Sequence, residues 1–313
     1  MKKVTKNLSL LVAGGMVLSL VTMSSCKKKS SDPVLPPIGG YNNSNEVAAT
    51  NLKAHWTFDG TATEAVSSAT PSTSLRATFV TGIKGQAVHL DSGYLLYPAS
   101  AVLGSTVLGS NTVSCWIYTD NQGAGSRTTS VFALALAGAL QTDWNMGPVN
   151  MYLENGRPTS YDDTLVLHGA FATYVAGNRL GGDNINDYGV RETDFKTVHG
   201  TNKWVQYILR YDGAGSFVDI YANGVLVSNA NFRFKYTGPL PGVPFGPIAL
   251  PTVSTQTQVL VGGFPNSTNG FSASAIQGWQ GLFRGNIDEL RFYNKALTDA
   301  EITALYQLEL AGR

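Results

Sequence analysis

The chain has 313 residues, of which 14% are charged, and its formal net charge is +1 at pH 7. A net charge this close to zero gives no support for a nucleic-acid-binding protein. Glycine is abundant, and tyrosine, phenylalanine, threonine and valine recur. This composition is typical of many strands joined by tight turns rather than of a helical protein.

Residues 1–25 have the pattern of an export signal. Lys2, Lys3 and Lys6 form a basic start, and residues 8–21 are apolar. An apolar run of about 14 residues is too short to span a bilayer as a helix. We therefore expect this segment to direct export and to be absent from the folded protein.

A cysteine follows the signal directly. The residues Met23-Ser24-Ser25-Cys26 resemble the lipobox of bacterial lipoproteins, although the family prefers leucine where Met23 stands. The resemblance implies that Cys26 is acylated and anchors the protein in the bacterial cell envelope, at the outer membrane. An ordinary secretory signal with a chance cysteine is the alternative. Residues 26–51 are polar and rich in proline and glycine, so we expect a flexible tether.

The remaining segment, 52–310, is long enough for one large β domain. Segments with alternating apolar residues recur along it, and most end in turn residues such as Asp59-Gly60 or Asp91-Ser92-Gly93. The predicted strands are 52–58, 86–90, 112–118, 204–211, 217–222, 225–227, 258–262 and 285–293. Asn223-Gly224 is the preferred pair for a type I′ hairpin, so the three strands of 204–227 are expected to form a meander.

One helix is predicted, at the end of the domain. Thr298 and Glu301 form a capping box, and Leu297 and Ile302 can form the hydrophobic staple. In the strand 112–118, Cys115 shares a face with other apolar residues, so it is expected to be a core residue rather than a reactive thiol. Many strands and one short C-terminal helix predict an all-β fold, a two-sheet antiparallel β-sandwich or jelly roll.

Four segments resemble, in order, the laminin-G-like domains of bacterial surface proteins, which belong to the concanavalin A-like lectins and glucanases. They are Leu52-Lys53-Ala54-His55-Trp56-Thr57-Phe58-Asp59-Gly60, Gly85-Gln86-Ala87-Val88-His89-Leu90-Asp91, residues 203–225, and residues 283–298 with the helix that follows. The resemblance implies a concanavalin A-like jelly roll. It fits poorly over 120–200 and 229–257, where we expect enlarged loops or extra strands, and function in this group usually lies on such loops.

The same resemblance implies a structural calcium ion, which prefers six to eight oxygen ligands. The positions that match are Asp59, Gly60, Asp91 and Asp288. The alternative is that Asp59 and Asp288 only shape turns by accepting hydrogen bonds from backbone amides.

Sugar binding needs an aromatic surface for the apolar sugar face and a few polar groups for the hydroxyls. Aromatic residues in sequence rich in glycine and asparagine are Trp144, Tyr161, Tyr188, Phe271 and Trp279. Polar candidates are Asn178, Arg179, Asp183, Asn184 and Asn186. Trp144 and Trp279 are the preferred pair, with core or loop packing as the alternative for each.

An enzyme is the least favoured interpretation. A glycosidase needs two converging carboxylates, and the concanavalin-like hydrolases place theirs on one strand as Glu-x-Asp-x-(x)-Glu. Glu192-Thr193-Asp194 is the nearest match, but Lys196 and Thr197 stand where the last glutamate belongs. The sequence therefore predicts a non-catalytic, lipid-anchored protein that binds polysaccharides or glycoconjugates. A structural or adhesive module that contacts other envelope proteins is the alternative.

Overall fold

The computed structural model describes residues 35–101, 103, 107–120, 128–154, 163–236, 242–252 and 256–313. The strands of the first half are β1 (Leu52–Trp56), β2 (Thr73–Thr81), β3 (Gln86–Leu96), β4 (Val107–Gly109), β5 (Asn111–Tyr118), β6 (Thr128–Leu136), β7 (Val149–Glu154) and β8 (Thr164–Val175). Those of the second half are β9 (Asn178–Ile185), β10 (Val198–His199), β11 (Trp204–Asp212), β12 (Phe217–Ala222), β13 (Val225–Leu226), β14 (Ile248–Ala249), β15 (Thr257–Val261), β16 (Gln280–Gly281) and β17 (Phe283–Tyr293). One α-helix, α1 (Asp299–Leu310), follows in this part of the chain, and no helix in these ranges has the length and apolarity to cross a membrane.

Most of these strands join one curled sheet. Its order is β10-β8-β7-β6-β15-β3-β17-β5-β11-β12-β13, with β1 on β17, β2 on β3, β9 on β8 and β16 on β6. The pairs are antiparallel except for β16 with β6, and β14 pairs with β4 in a small separate sheet. The predicted all-β fold with one C-terminal helix is confirmed, as is the meander of β11, β12 and β13.

The curled sheet closes over a shared core. The Tyr207 hydroxyl on β11 donates to the carbonyls of Tyr152 on β7 (3.3 Å) and His168 on β8. The rings of Phe171 on β8 and Tyr211 on β11 have centroids 4.6 Å apart. The core therefore lies between the β5–β11–β12 part of the sheet and the β6–β7–β8 part, which is the arrangement of a sandwich.

The first and last strands of the domain are neighbours. Leu52 pairs with Tyr293 and Trp56 with Leu290, so β1 and β17 form an antiparallel ladder. Leu297 and Ile302 are both fully buried, and the capping box of Thr298 is present. The predicted proximity of the two ends of the domain is confirmed.

One predicted strand end is wrong, and residues before the first strand pack on the domain. Residues 91–93 do not end a strand, because β3 continues through them to Leu96. Ser92 adopts a positive φ of 50°, and the pairing of β2 with β3 shifts register there, so these turn-forming residues make a β-bulge within the strand. Residues 36–51 belong to the same compact unit as the domain, because Val47 is fully buried against the helix.

A buried cluster of charges joins three parts of the chain. Arg291 on β17 has no exposed surface and donates to the carboxylates of Glu289 and, at 2.8 Å, Glu309 on α1. The same guanidinium donates to Ser44 (3.1 Å) and Asn45 (2.9 Å). The residues before β1, strand β17 and helix α1 are thereby held together.

We expect the substitution Arg291→Met to lower the free energy of unfolding by about 3–5 kcal/mol, because it removes the buried guanidinium that pairs with the carboxylates of Glu289 and Glu309. Urea unfolding followed by fluorescence measures this change. Lys203→Met, at an exposed position, is the control and should change stability by less than about 0.5 kcal/mol. Equal losses in the two variants would contradict the role assigned to the cluster.

Candidate functional site

The two tryptophans preferred from the sequence lie against each other. The ring centroids of Trp144 and Trp279 are 5.3 Å apart and the rings are nearly perpendicular, at 85°. Phe264 lies 5.7 Å from Trp144 and 5.0 Å from Trp279. Tyr152 contacts Trp144 at 5.6 Å. We call Trp144, Tyr152, Phe264 and Trp279 the aromatic shelf.

Strand alternation places the shelf on the face of β7 and β8 that is turned away from the core. Met151 and Leu153, on either side of Tyr152, belong to the core cluster, and successive side chains of a strand point to opposite faces. Tyr152 pairs across the sheet with His168, and their rings stack at 4.6 Å. The shelf is therefore built on regular strands rather than on loops alone.

The loop that carries Trp144 is fixed by the strands beneath it. Three side chains from β7, β8 and β9 donate to three successive loop carbonyls: Asn150 to Trp144 (3.0 Å), Arg179 to Asn145 (3.0 and 2.7 Å) and Tyr174 to Met146 (2.9 Å). Burial lowers the pKa of Arg179, with the nearby Tyr174 and Asp143 acting in the opposite direction. The orientation of Trp144 is set before any ligand arrives, which lowers the entropy cost of binding.

A hollow of about 260 Å³ opens beside the shelf, and we call it the shelf hollow. Its lining consists of Trp144, Asn145, Tyr152, Ala170, Arg179, Gly181, Gly182 and Asp183. Gly181 keeps the floor open, because a Cβ there would lie 2.8 Å from Nη2 of Arg179. Four candidates from the sequence analysis therefore lie close together at the shelf and its hollow: Trp144, Trp279, Arg179 and Asp183.

Two polar groups of the shelf hollow are available to a ligand. Neither the Asp183 carboxylate nor the Tyr152 hydroxyl bonds any residue that the structure describes. Burial raises the pKa of Tyr152, and the Asp183 charge raises it further, so this phenol stays protonated and can donate. The site offers one strong acceptor and one donor beside apolar rings.

The other candidates from the sequence lie elsewhere. Asn178 is exposed at the start of β9 and lines no described hollow. Tyr188 packs on Phe232, at 5.6 Å, and not on the shelf. Phe271 is buried in a packing cluster. Tyr161 and Cys26 lie outside the described residues.

Two of the asparagines selected from the sequence are structural. Asn184 Nδ2 donates to the Val218 carbonyl at 2.7 Å, which ties β9 to β12. Asn186 Oδ1 accepts from the Leu167 amide at 2.7 Å. Both side chains are buried, so they are not available for sugar hydroxyls. Tyr152 and Phe264 were not selected in the sequence analysis. The alternation within β7 shows that Tyr152 and Met151 lie on opposite faces of the strand, but it does not show which of the two faces packs on the core.

A larger hollow of about 710 Å³ lies at β3, β5 and β17. Four of its polar side chains bond one another in pairs: Arg284 pairs with Asp120, and His89 Nδ1 lies 2.7 Å from Oδ1 of Asn286. One aromatic ring, that of Tyr118, lines it. The smaller shelf hollow, with its packed tryptophans, is the better candidate for ligand binding despite its size.

The residues proposed for calcium do not form a common ligand set. Asp288 Oδ2 accepts from the amides of Ile83 (2.8 Å) and Lys84 (3.1 Å), and Asp59 Oδ1 accepts from the Gln86 amide (2.7 Å). The two carboxylates thus clamp the turn between β2 and β3. Burial raises the pKa of Asp288 to about 7, although backbone hydrogen bonds lower it.

The other two members of the calcium set do not complete a site. Asp91 lies opposite Arg284, further along β3, and lines the larger hollow. Gly60 lies next to Asp59 and, without a side chain, offers only its carbonyl. No group of three or more possible metal-binding side chains occurs among the described residues. Calcium binding stays a prediction of the sequence resemblance.

The acidic residues considered for catalysis do not reach the shelf hollow. Glu192 is exposed and accepts from the Thr197 amide at 2.8 Å. Asp194 accepts from the Val190 amide at 2.7 Å. Both carboxylates stabilise the loop between β9 and β10. Within its described lining the shelf hollow has a single carboxylate, that of Asp183, whereas glycoside hydrolysis uses two.

No protein-family model matches the sequence, and no curated protein matches it. Among solved structures, the chain is similar to domain 4 of AbnA, a GH43 extracellular arabinanase from Geobacillus stearothermophilus, in complex with arabinotriose (TM-score 0.47, 20% identity, 82% of this chain and 98% of that chain). It is also similar to the binding domain of Paraclostridial Mosquitocidal Protein 1 (TM-score 0.49, 13% identity, 82% and 52%). A third similar structure is the botulinum neurotoxin serotype G binding domain (TM-score 0.47, 11% identity, 82% and 51%). The chain spans about half the length of the two toxin domains.

We expect Arg179→Met to loosen the loop of Trp144. The variant loses two hydrogen bonds from a charged donor, so local opening should become easier by roughly 1–3 kcal/mol and amide hydrogen exchange at residues 144–147 roughly five- to a hundredfold faster. Asn178→Ala, one position earlier on β9, is the matched control and should leave exchange unchanged. Unaltered exchange in Arg179→Met would show that the loop is held by other contacts.

Proposed function

We propose that this protein binds glycans, without catalysis, at the aromatic shelf and the shelf hollow beside it. The observation that carries the proposal is the packed pair Trp144 and Trp279 next to the unbonded carboxylate of Asp183. Aromatic faces contact the apolar C–H surface of a sugar ring, and a few polar groups select its hydroxyls. Polysaccharides or glycoconjugates of the environment are the expected partners.

Each group of the site is expected to make a different contact. Trp279 is 39% exposed, and its ring offers the apolar surface. Asp183 accepts from one hydroxyl, while the protonated Tyr152 donates to another. Arg179 holds the Trp144 loop through the Asn145 carbonyl. Because the surface is preorganised in this way, a few well-placed contacts are enough for binding.

The absence of a second carboxylate in the described lining of the shelf hollow supports binding rather than hydrolysis. A retaining glycosidase places two carboxyl groups about 5–5.5 Å apart, and an inverting one about 6.5–9.5 Å apart. Glu192 and Asp194 bond backbone amides of their own loop. The protein would therefore hold a glycan and leave it intact.

We further propose that the domain is exported and anchored through an acylated Cys26. The support is the basic and apolar start of the chain and the residues Met23-Ser24-Ser25-Cys26. An anchored glycan-binding domain would hold polysaccharide close to the cell surface. Mass spectrometry of the membrane fraction tests the acylation, and its loss in Cys26→Ala is the expected result.

We expect Trp279→Ala and Trp144→Ala to weaken glycan binding at least about tenfold, since aromatic anchors of this kind typically contribute more than 1 kcal/mol. The measurement is calorimetry after affinity electrophoresis on arabinan, xylan, polygalacturonate and mucin glycans. Asp183→Asn, which alters one acceptor without removing bulk, should weaken binding by a smaller factor.

Ile276→Ala is the control, because Ile276 is exposed on the same loop as Trp279 but outside the shelf. Its binding should equal that of the unaltered protein. Thermal unfolding of each variant separates loss of binding from loss of fold. If a folded Trp279→Ala variant binds as well as the control, the shelf is not the glycan site.

A further inference from the structure

A second hollow adjoins the first. It has a volume of about 460 Å³ and is lined by Phe232, Phe234, Lys235 and Tyr236 on one side. On the other side its lining is Gly181, Gly182 and Asp183, and the same three residues line the shelf hollow. Strand β9, to which they belong, pairs only with β8 among the described strands. The two hollows therefore meet across an edge strand, with no further described strand as a wall between them.

The second hollow is unusually aromatic for a surface. Phe232 is 51% exposed and Tyr236 44% exposed. Tyr188 packs on Phe232 at 5.6 Å, and Phe234 lies 5.7 Å from Tyr236. Soluble proteins rarely expose several large apolar side chains together unless something binds there. This hollow thus repeats the combination of rings and polar groups found at the shelf.

Two opposite charges stand where the hollows meet. The stem of Lys235 lies over Gly182, with Cδ 3.5 Å from the position that a Cβ would take. Burial lowers the pKa of Lys235, and the charge of Asp183 opposes that change. The Lys235 ammonium group donates to no described residue, and the Asp183 carboxylate accepts from none. One donor and one acceptor without protein partners are a suitable pair for the neighbouring hydroxyls of a sugar ring.

We propose that the two hollows are one groove crossing β9, and that its ligand is an internal stretch of a polysaccharide rather than a single terminal sugar. This inference rests on the proposed glycan binding. One sugar lies on the shelf, the next meets Asp183 and Lys235, and further sugars extend over Phe232 and Tyr236. A continuous chain satisfies both hollows at once, because each sugar unit has an apolar face and several hydroxyls.

Calorimetry with oligosaccharides of increasing length tests the proposal. The probe is the series from disaccharide to hexasaccharide of whichever panel polysaccharide the unaltered protein retains most strongly. We expect affinity to rise about tenfold or more along the series. Lys235→Met keeps the stem that packs on Gly182, and Phe232→Ala removes an exposed ring. Phe232→Ala should weaken hexasaccharide binding about five- to tenfold and leave disaccharide binding unchanged. Lys235→Met, which removes a contact to the second sugar, should weaken the binding of both lengths. Lys196→Met, at an exposed lysine paired with Glu192, is the control.

The failure of this inference is distinct from that of the proposed function. If affinity stops rising at the disaccharide, or if both variants bind the hexasaccharide as tightly as the control, the groove does not extend over the second hollow. An equal weakening by Phe232→Ala at every length also overturns it, since the second hollow would then be no separate extension. If Trp279→Ala changes binding at no length, the shelf itself is excluded, and both proposals fail.

Discussion

The buried guanidinium of Arg291 is the constraint on which the closure of this fold depends. A cation with no exposed surface is costly unless it is paired, and here Glu289, Glu309 and the residues before β1 supply its partners. Conformations in which β17, α1 and the N-terminal segment separate would leave charges buried without partners. Because β17 lies between β3 and β5 in the sheet, the cluster fixes a central strand to the helix and to the residues before β1.

The binding surface follows from strand alternation on β7. On β7, Met151 and Leu153 enter the core, and Tyr152 is left on the opposite face. Hydrogen bonds from three strands then hold the Trp144 loop over that face. The segment before β17 completes the surface with Phe264 and Trp279. Rings from distant parts of the chain become neighbours because the sheet brings their supports together, and their orientation is fixed without the ligand.

Local patterns explain what the sequence could predict. Alternation, the Asn223-Gly224 turn and the Thr298 capping box act over a few residues, and each is found as expected. The aromatic character of Trp144 and Trp279 was visible, but their contact was not, because it depends on the curl of the sheet. The buried roles of Asn184 and Val47 depend on partners far along the chain. The turn residues of 91–93 were misleading for another reason: a β-bulge and a turn favour the same residue types.

The most direct test of the account is nuclear magnetic resonance of the indole N–H groups, since the chain has five tryptophans. Trp56 and Trp116 are buried, and Trp204 packs on Tyr118 beside the larger hollow. Titration with an oligosaccharide that the protein binds should change the indole chemical shifts of Trp144 and Trp279 and leave those of the other three tryptophans unchanged. A shift confined to Trp204 would move the binding site to the opposite part of the sheet and contradict the central claim.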